Sequence, residues 1–178
     1  MIRGLRAGVT ALLLTLTSLA VTASPASAAT CDTRDSGTAT GGYVVTIYCS
    51  GPGFIDAYGS TLTAATTNAL LLYQLYVTYG NDCDGRDAST TTGGYDVLIY
   101  CSGGGFIDAY GSTLSDAAEE ARQLVLLRAA TGNSCDGRDT YTVSGGYGVT
   151  LYCTSGGFID GYGSTLTGAA FNARLAAS

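Results

Sequence analysis

Three aspartates occupy equivalent positions in a phrase that this chain carries three times. Each follows Phe-Ile, precedes Ala or Gly, and lies two residues before a tyrosine. In an extended segment side chains alternate between two faces, so the aspartate shares one face with both rings. Rings that stack on a sugar or an amine, beside a carboxylate that accepts hydrogen bonds, make a candidate binding patch. The nine candidate residues are Phe54, Asp56, Tyr58, Phe106, Asp108, Tyr110, Phe158, Asp160 and Tyr162.

The same aspartates have competing interpretations. Asp56 would serve folding if it accepted backbone amides at the start of the following helix, or if it paired with Arg34. Two carboxylates at a defined separation can also hydrolyse glycosides or peptides. Catalytic sites are usually single and asymmetric, however, whereas every aspartate of the repeated core has two equivalents. The pattern therefore favours a non-catalytic role, with a carboxylate-dependent hydrolase as the alternative.

The composition excludes several kinds of active site. The chain contains no histidine and no lysine, which rules out Ser-His-Asp and Cys-His sites, His-ligated zinc and Schiff-base chemistry. Acids around Cys83 suggest calcium, but their spacing does not match the calcium-loop pattern. The other two copies also have Thr30 and Ser134 in place of Asp82. We expect no metal and no cofactor.

Charge and the N-terminal segment indicate where the protein acts. The formal net charge is −6, from 8 basic and 14 acidic residues, so we expect no nucleic-acid partner, since phosphate binding needs clustered cations. Arg3 and Arg6 precede an apolar run from Ala11 to Val21, and Ala26-Ser27-Ala28 follows as a cleavage pattern, an order typical of a signal peptide. We predict a signal peptide at residues 1–28, secretion to the extracellular space, and no membrane span after cleavage.

The cysteines reveal an internal repeat. Positions 31, 83 and 135, and again 49, 101 and 153, recur every 52 residues. A fixed period predicts a repeated supersecondary unit, which we place at residues 29–80, 81–132 and 133–178, the last with a truncated helix. Cysteines in an oxidising compartment form disulfides, and the equal spacing favours local pairing. The predicted disulfides are Cys31–Cys49, Cys83–Cys101 and Cys135–Cys153.

Each unit is predicted to form a hairpin, a short strand and a helix. In the first copy, Gly41-Gly42 is a two-residue hairpin signal, and Ser60 or Thr61 is suited to cap the helix. Residues 43, 45, 47 and 49 are nearly identical in all copies, so we expect that strand face to be buried. Tyr48, Tyr100 and Tyr152 fall on the other face. The predicted fold is α+β: three tandem ββα-type repeats in one compact domain or short array.

These observations lead to one functional expectation and two alternatives. We expect a non-catalytic, three-repeat protein that binds an extracellular glycan or protein through three equivalent patches. A hydrolase would require two unequal carboxylates that converge in one cleft. A purely structural protein of a cell surface or matrix would have its aspartates buried and neutralised.

Overall fold

The computed structural model describes residues 31–178, and the predicted signal peptide at residues 1–28 lies outside them. The described chain is α+β and consists of three repeated units, each with three strands, one helix and one disulfide. The predicted fold class is therefore confirmed, including the short third strand. Within residues 31–178, no helix is long and apolar enough to cross a membrane.

The secondary structure elements recur in the same order in every unit. Unit 1 contains β1 (Cys31–Ala39), β2 (Gly42–Cys49), β3 (Gly53–Gly59) and α1 (Leu62–Tyr79). Unit 2 contains β4 (Cys83–Thr91), β5 (Gly94–Cys101), β6 (Gly105–Gly111) and α2 (Leu114–Thr131). Unit 3 contains β7 (Cys135–Val143), β8 (Gly146–Cys153), β9 (Gly157–Gly163) and α3 (Leu166–Ala177).

Each unit forms its own antiparallel sheet, with its second strand in the middle. A disulfide joins two cysteines that are paired partners across the first two strands, such as Cys31 with Cys49. All three predicted disulfides are confirmed. A bridge that closes a loop of this length stabilises a fold by about 3 kcal/mol in the loop-entropy model, which matters for a unit with a small core.

The core of each unit lies between one face of the sheet and its helix. In unit 1, Val45, Ile47 and Ile55 are buried from the sheet side, and Ala65 and Ala69 are buried from the helix side. Alanines at these positions let the helix approach the sheet closely, because their side chains are short. The expectation of a buried strand face is confirmed at positions 45, 47 and 49 but is wrong at position 43, because Tyr43 is 41% exposed.

One local prediction changes by one residue, and the predicted helix cap is confirmed. The hairpin loop is Thr40-Gly41, and Gly42 already pairs with Ala39, so the Gly-Gly pair is not itself the loop. Of these two glycines, Gly41 has a positive φ, of 83°, and Gly42 does not. The helix cap is Thr61, whose hydroxyl accepts from the amide of Ala64 at 3.1 Å.

The units stack in sequence order. Within residues 31–178, hydrogen bonds between units join unit 1 to unit 2 and unit 2 to unit 3, which makes a short linear array. Part of each junction is an exchange between helix N-termini. The Ser60 amide donates to the Ser115 hydroxyl at 2.9 Å, and the Ser115 amide donates to the Ser60 hydroxyl at 3.1 Å. Ser112 and Thr167 make the same exchange at the second junction. The bonds donated by Ser115 and Thr167 satisfy amides that a helix leaves free in its first turn, and those donated by Ser60 and Ser112 satisfy amides just before the helix caps.

A second contact joins the edge strand of one sheet to the first strand of the next unit. The carboxylate of Asp84 accepts from the backbone amide of Asp56 at 2.6 Å, and Asp136 accepts from that of Asp108 at 2.7 Å. A glycine follows each accepting aspartate. A Cβ atom on Gly137 would lie 2.7 Å from the carbonyl oxygen of Asp108, so only glycine permits this approach.

We therefore expect Gly137→Ala to lower the free energy of unfolding by about 1–3 kcal/mol, as overpacking against a rigid backbone does. The measurement is urea unfolding of the oxidised protein. Gly37→Ala is the matched control, because its Cβ would meet Val44 at an ordinary 3.5 Å within another first strand. The control should be neutral or slightly stabilising, since alanine restricts the unfolded chain. Equal effects of the two substitutions would contradict the assigned junction.

Candidate functional site

An arginine and two aromatic rings form a row across the solvent-facing side of each sheet. In unit 1 the guanidinium carbon of Arg34 lies 5.3 Å from the centre of the Tyr48 ring. The Tyr48 and Phe54 rings meet edge to face, with centroids 5.0 Å apart and an interplanar angle of 61°. Because Val45, Ile47 and Ile55 point toward the helix, strand alternation places Tyr48 and Phe54 on the opposite face. We call this set the aromatic row.

The aromatic row recurs with nearly constant geometry. The arginine lies 5.5 Å from the tyrosine ring in unit 2 and 5.4 Å in unit 3. The Tyr–Phe centroid distances there are 5.1 Å and 5.2 Å, both at 62°. The phenylalanines remain open to solvent, with exposed fractions of 63%, 61% and 71% in units 1, 2 and 3. The rows of units 2 and 3 are Arg86, Tyr100 and Phe106, and Arg138, Tyr152 and Phe158.

The Cys-Asp-x-Arg-Asp segment positions the arginine. It belongs to the first strand of each unit rather than to a turn, and the register shifts between Thr33 and Asp35, with Arg34 at the bulge. Arg34 forms an ion pair with a nearby acid, since its guanidinium lies 3.5 Å from the Asp32 carboxylate. The same pairs in units 2 and 3 measure 3.4 Å and 3.3 Å. Exposed ion pairs of this kind contribute little stability, so their main effect is to orient the guanidinium.

The three predicted aspartates lie beside the rows in different surroundings. The hydroxyl of Thr46 donates to the Asp56 carboxylate at 2.5 Å, and that of Thr150 donates to Asp160 at 2.6 Å. In unit 2 the position equivalent to Thr46 and Thr150 is Leu98, which lies opposite Asp108 and has no hydroxyl to donate. Arg34 pairs with Asp32, so the alternative prediction that Arg34 pairs with Asp56 is wrong.

The predicted tyrosines of the patch do not form three equal copies. Tyr58 and Tyr110 are only 9% and 8% exposed, because the first strand of the following unit covers them. Tyr162 is 53% exposed and accepts a hydrogen bond from the Tyr141 hydroxyl at 3.3 Å. The structure thus exposes the phenylalanine in every unit, leaves Asp56 and Asp108 half-buried, and exposes the aspartate and the tyrosine together in unit 3 only.

Sequence reasoning missed the arginine as a partner of the rings. The disulfide pairing offered a signal, because joining Cys31 to Cys49 places Asp32 opposite Tyr48 and Phe54 next in line. No sequence pattern indicated the bulge that brings Arg34 over the Tyr48 ring. A flat ring, a guanidinium and a carboxylate can together contact the apolar face and the hydroxyls of a sugar. Within residues 31–178, no group of three His, Cys, Asp or Glu residues is arranged to hold a metal ion.

Asp108 is the aspartate with the most perturbed acidity. Burial, reinforced by the nearby charges of Asp136 and Asp96, raises its pKa from 3.8 to about 6. The folded protein therefore binds this proton more tightly than the unfolded chain does. The stabilisation that results is fully present below about pH 4 and is lost as the pH rises through about 6.

Asp108→Asn keeps the site neutral at every pH. We expect it to raise the urea midpoint relative to the parent protein at about pH 7.5, and the difference to vanish near about pH 4. Asp160→Asn is the control, because Asp160 is exposed and its carboxylate accepts the Thr150 hydroxyl. A pH-independent effect of Asp108→Asn, or the same gain from Asp160→Asn, would contradict this assignment.

Comparisons with known protein families, curated proteins and solved structures find no match. The three internal copies show which side chains the unit keeps. The aromatic row and the junction aspartates of units 2 and 3 are kept in identity and in geometry.

Proposed function

We propose that this protein is a secreted, non-catalytic binding module that contacts an extracellular glycan through its three aromatic rows. The observation that carries the proposal is the threefold recurrence of one exposed Arg–Tyr–Phe arrangement on the solvent side of the sheets. Folding does not account for a phenylalanine left more than half exposed in every unit. Exposed aromatic rings of this kind mark binding surfaces.

The ligand class follows from the chemistry of the row. Edge-to-face packing of Tyr48 on Phe54 fixes both rings, so little rotamer freedom is lost on binding. The arginine and its paired aspartate supply donors and acceptors beside the rings, as sugar hydroxyls require. Three equal sites on one rigid chain suit a repetitive polymer, because a second contact with the same polymer benefits from high effective concentration.

A non-catalytic role is supported by how the junction carboxylates are used. Asp84 accepts the backbone amide of Asp56 and pairs with Arg86. Asp136 accepts the backbone amide of Asp108 and pairs with Arg138. These carboxylates are engaged in holding the units together, and the arrangement occurs at both junctions. Three disulfides support an extracellular location, because such bridges persist in oxidising compartments.

The test is a binding screen on a glycan array and on isolated cell-wall material, with Phe54, Phe106 and Phe158 replaced by alanine singly and together. We expect each single substitution to weaken binding about three- to tenfold and the triple variant to lose it, since truncating an interface aromatic commonly costs this much. Phe171→Ala is the matched control, because Phe171 is a comparably exposed phenylalanine on α3, outside the rows.

Folding of each variant is checked by its urea midpoint and its disulfides. Full binding by a folded triple variant would overturn the proposal, and so would an equal loss in Phe171→Ala. Binding of the parent protein to cell-wall protein but to no glycan would reassign the rows to a protein ligand.

A further inference from the structure

The two ends of the array carry the two halves of the contact that joins neighbouring units. At each junction the earlier unit contributes a hairpin glycine, an edge-strand amide, a tyrosine ring and a helix-start serine. The later unit contributes a tyrosine that covers that glycine, an aspartate that accepts the amide, and a helix-start hydroxyl. We call the first set on unit 3 the C-terminal face, formed by Gly145, Asp160, Tyr162 and Ser164. We call the second set on unit 1 the N-terminal face, formed by Tyr43, Asp32 and Thr63.

The C-terminal face is open in the described residues. A tyrosine of the following unit, Tyr95 or Tyr147, lies over the hairpin glycine of units 1 and 2. The equivalent Gly145 has no atom within 4 Å of the position that its Cβ would take. Tyr162 is likewise exposed where its equivalents Tyr58 and Tyr110 are buried.

The N-terminal face is open in the same way. The side chain of Asp32 is 69% exposed, whereas Asp84 and Asp136, which accept amides at the junctions, are 22% and 25% exposed. Leu62 is 48% exposed, whereas its equivalents Leu114 and Leu166 are fully buried. Among residues 31–178, the groups that would meet a preceding unit are thus present and uncovered.

One position breaks the match between the two faces. Units 2 and 3 have Gly85 and Gly137 directly after the accepting aspartate, where unit 1 has Thr33. A Cβ on Gly85 would lie 2.7 Å from the Asp56 carbonyl oxygen and 2.8 Å from the Tyr58 ring. Real Cβ atoms do not approach a backbone oxygen this closely, and a backbone oxygen in a paired strand cannot move aside cheaply.

We propose that Thr33 is a stop residue that prevents a second copy of this chain from adding head to tail. The hairpin glycine, edge amide, tyrosine and helix-start serine of the C-terminal face match the tyrosine, aspartate and hydroxyl of the N-terminal face, and Thr33 is the residue beside them that would clash. The Cβ atom of Thr33 would collide with the Asp160 carbonyl of the preceding copy. In a protein that lacks the Thr33 Cβ atom, the contact could form. Because this contact joins different faces of two copies, it recurs from copy to copy and produces an open chain of molecules rather than a closed dimer. This inference concerns self-assembly and does not depend on the proposed ligand.

The test compares the parent protein with Thr33→Gly and Thr33→Ala by sedimentation velocity over a rising concentration series. All proteins are expressed with the full sequence of 178 residues and are oxidised before measurement. We expect Thr33→Gly to rise in apparent mass by about twofold or more with concentration, as a repeating head-to-tail contact requires. The parent protein and Thr33→Ala should stay monomeric, because alanine removes the hydroxyl and methyl groups but keeps the Cβ atom. Folding of Thr33→Gly is checked by its urea midpoint.

A double variant identifies the surface that Thr33→Gly uses. Asp32→Ala in the Thr33→Gly background removes the acceptor for the Asp160 amide, and we expect self-association about tenfold weaker. Monomeric Thr33→Gly would overturn the proposal. Association of the parent protein, association of Thr33→Ala, or no weakening in the double variant would do the same. A Thr33→Gly protein that fails to fold would also contradict it, because units 2 and 3 accommodate glycine in the same strand position.

Discussion

The array depends on one carboxylate that accepts the edge amide of the preceding sheet. An edge strand presents unpaired amides and carbonyls, which must be covered or satisfied. Here the next unit covers the edge, and its aspartate takes the amide of Asp56 or Asp108 in place of a further ladder of backbone bonds. Burial raises the pKa of Asp84, and the backbone bond opposes that rise, so the contact compensates part of the desolvation that it requires. Each unit thereby covers the edge of the unit before it.

The junction and the aromatic row share that same carboxylate. One oxygen of Asp84 accepts the amide of Asp56, and the other lies 3.4 Å from Arg86, which lies over Tyr100. Stacking of the units therefore fixes the carboxylate that pairs with the arginine of the row in units 2 and 3, but it does not set the geometry of the row. In unit 1 the pair formed by Asp32 and Arg34 is solvent-exposed, and the geometry of the row is nevertheless the same. The disulfides fix the strand register in every unit, which gives all three rows the same cross-strand neighbours.

Much of the unit could be predicted from the sequence, because its signals are local. The period of the cysteines indicated the repeats and disulfides. The constant alternate positions from 45 to 49 indicated the buried face, although Tyr43 of the same series is exposed, and threonine before Leu62 indicated the cap. The burial of Tyr58 was not predictable, because it depends on contact with the next unit. Nor was the placement of Arg34 over Tyr48, because it depends on a bulge. The role proposed for Thr33 was not predictable either, because it depends on the close approach at the junction that requires glycine at the equivalent positions.

Amide hydrogen exchange, measured residue by residue on the oxidised protein, tests the central claim most directly. The claim is that the aspartate of each later unit holds the edge amide of the unit before it. The account predicts slow exchange for the amides of Asp56 and Asp108, which have carboxylate acceptors, and fast exchange for the equivalent amide of Asp160. Equal exchange rates for all three amides would contradict it.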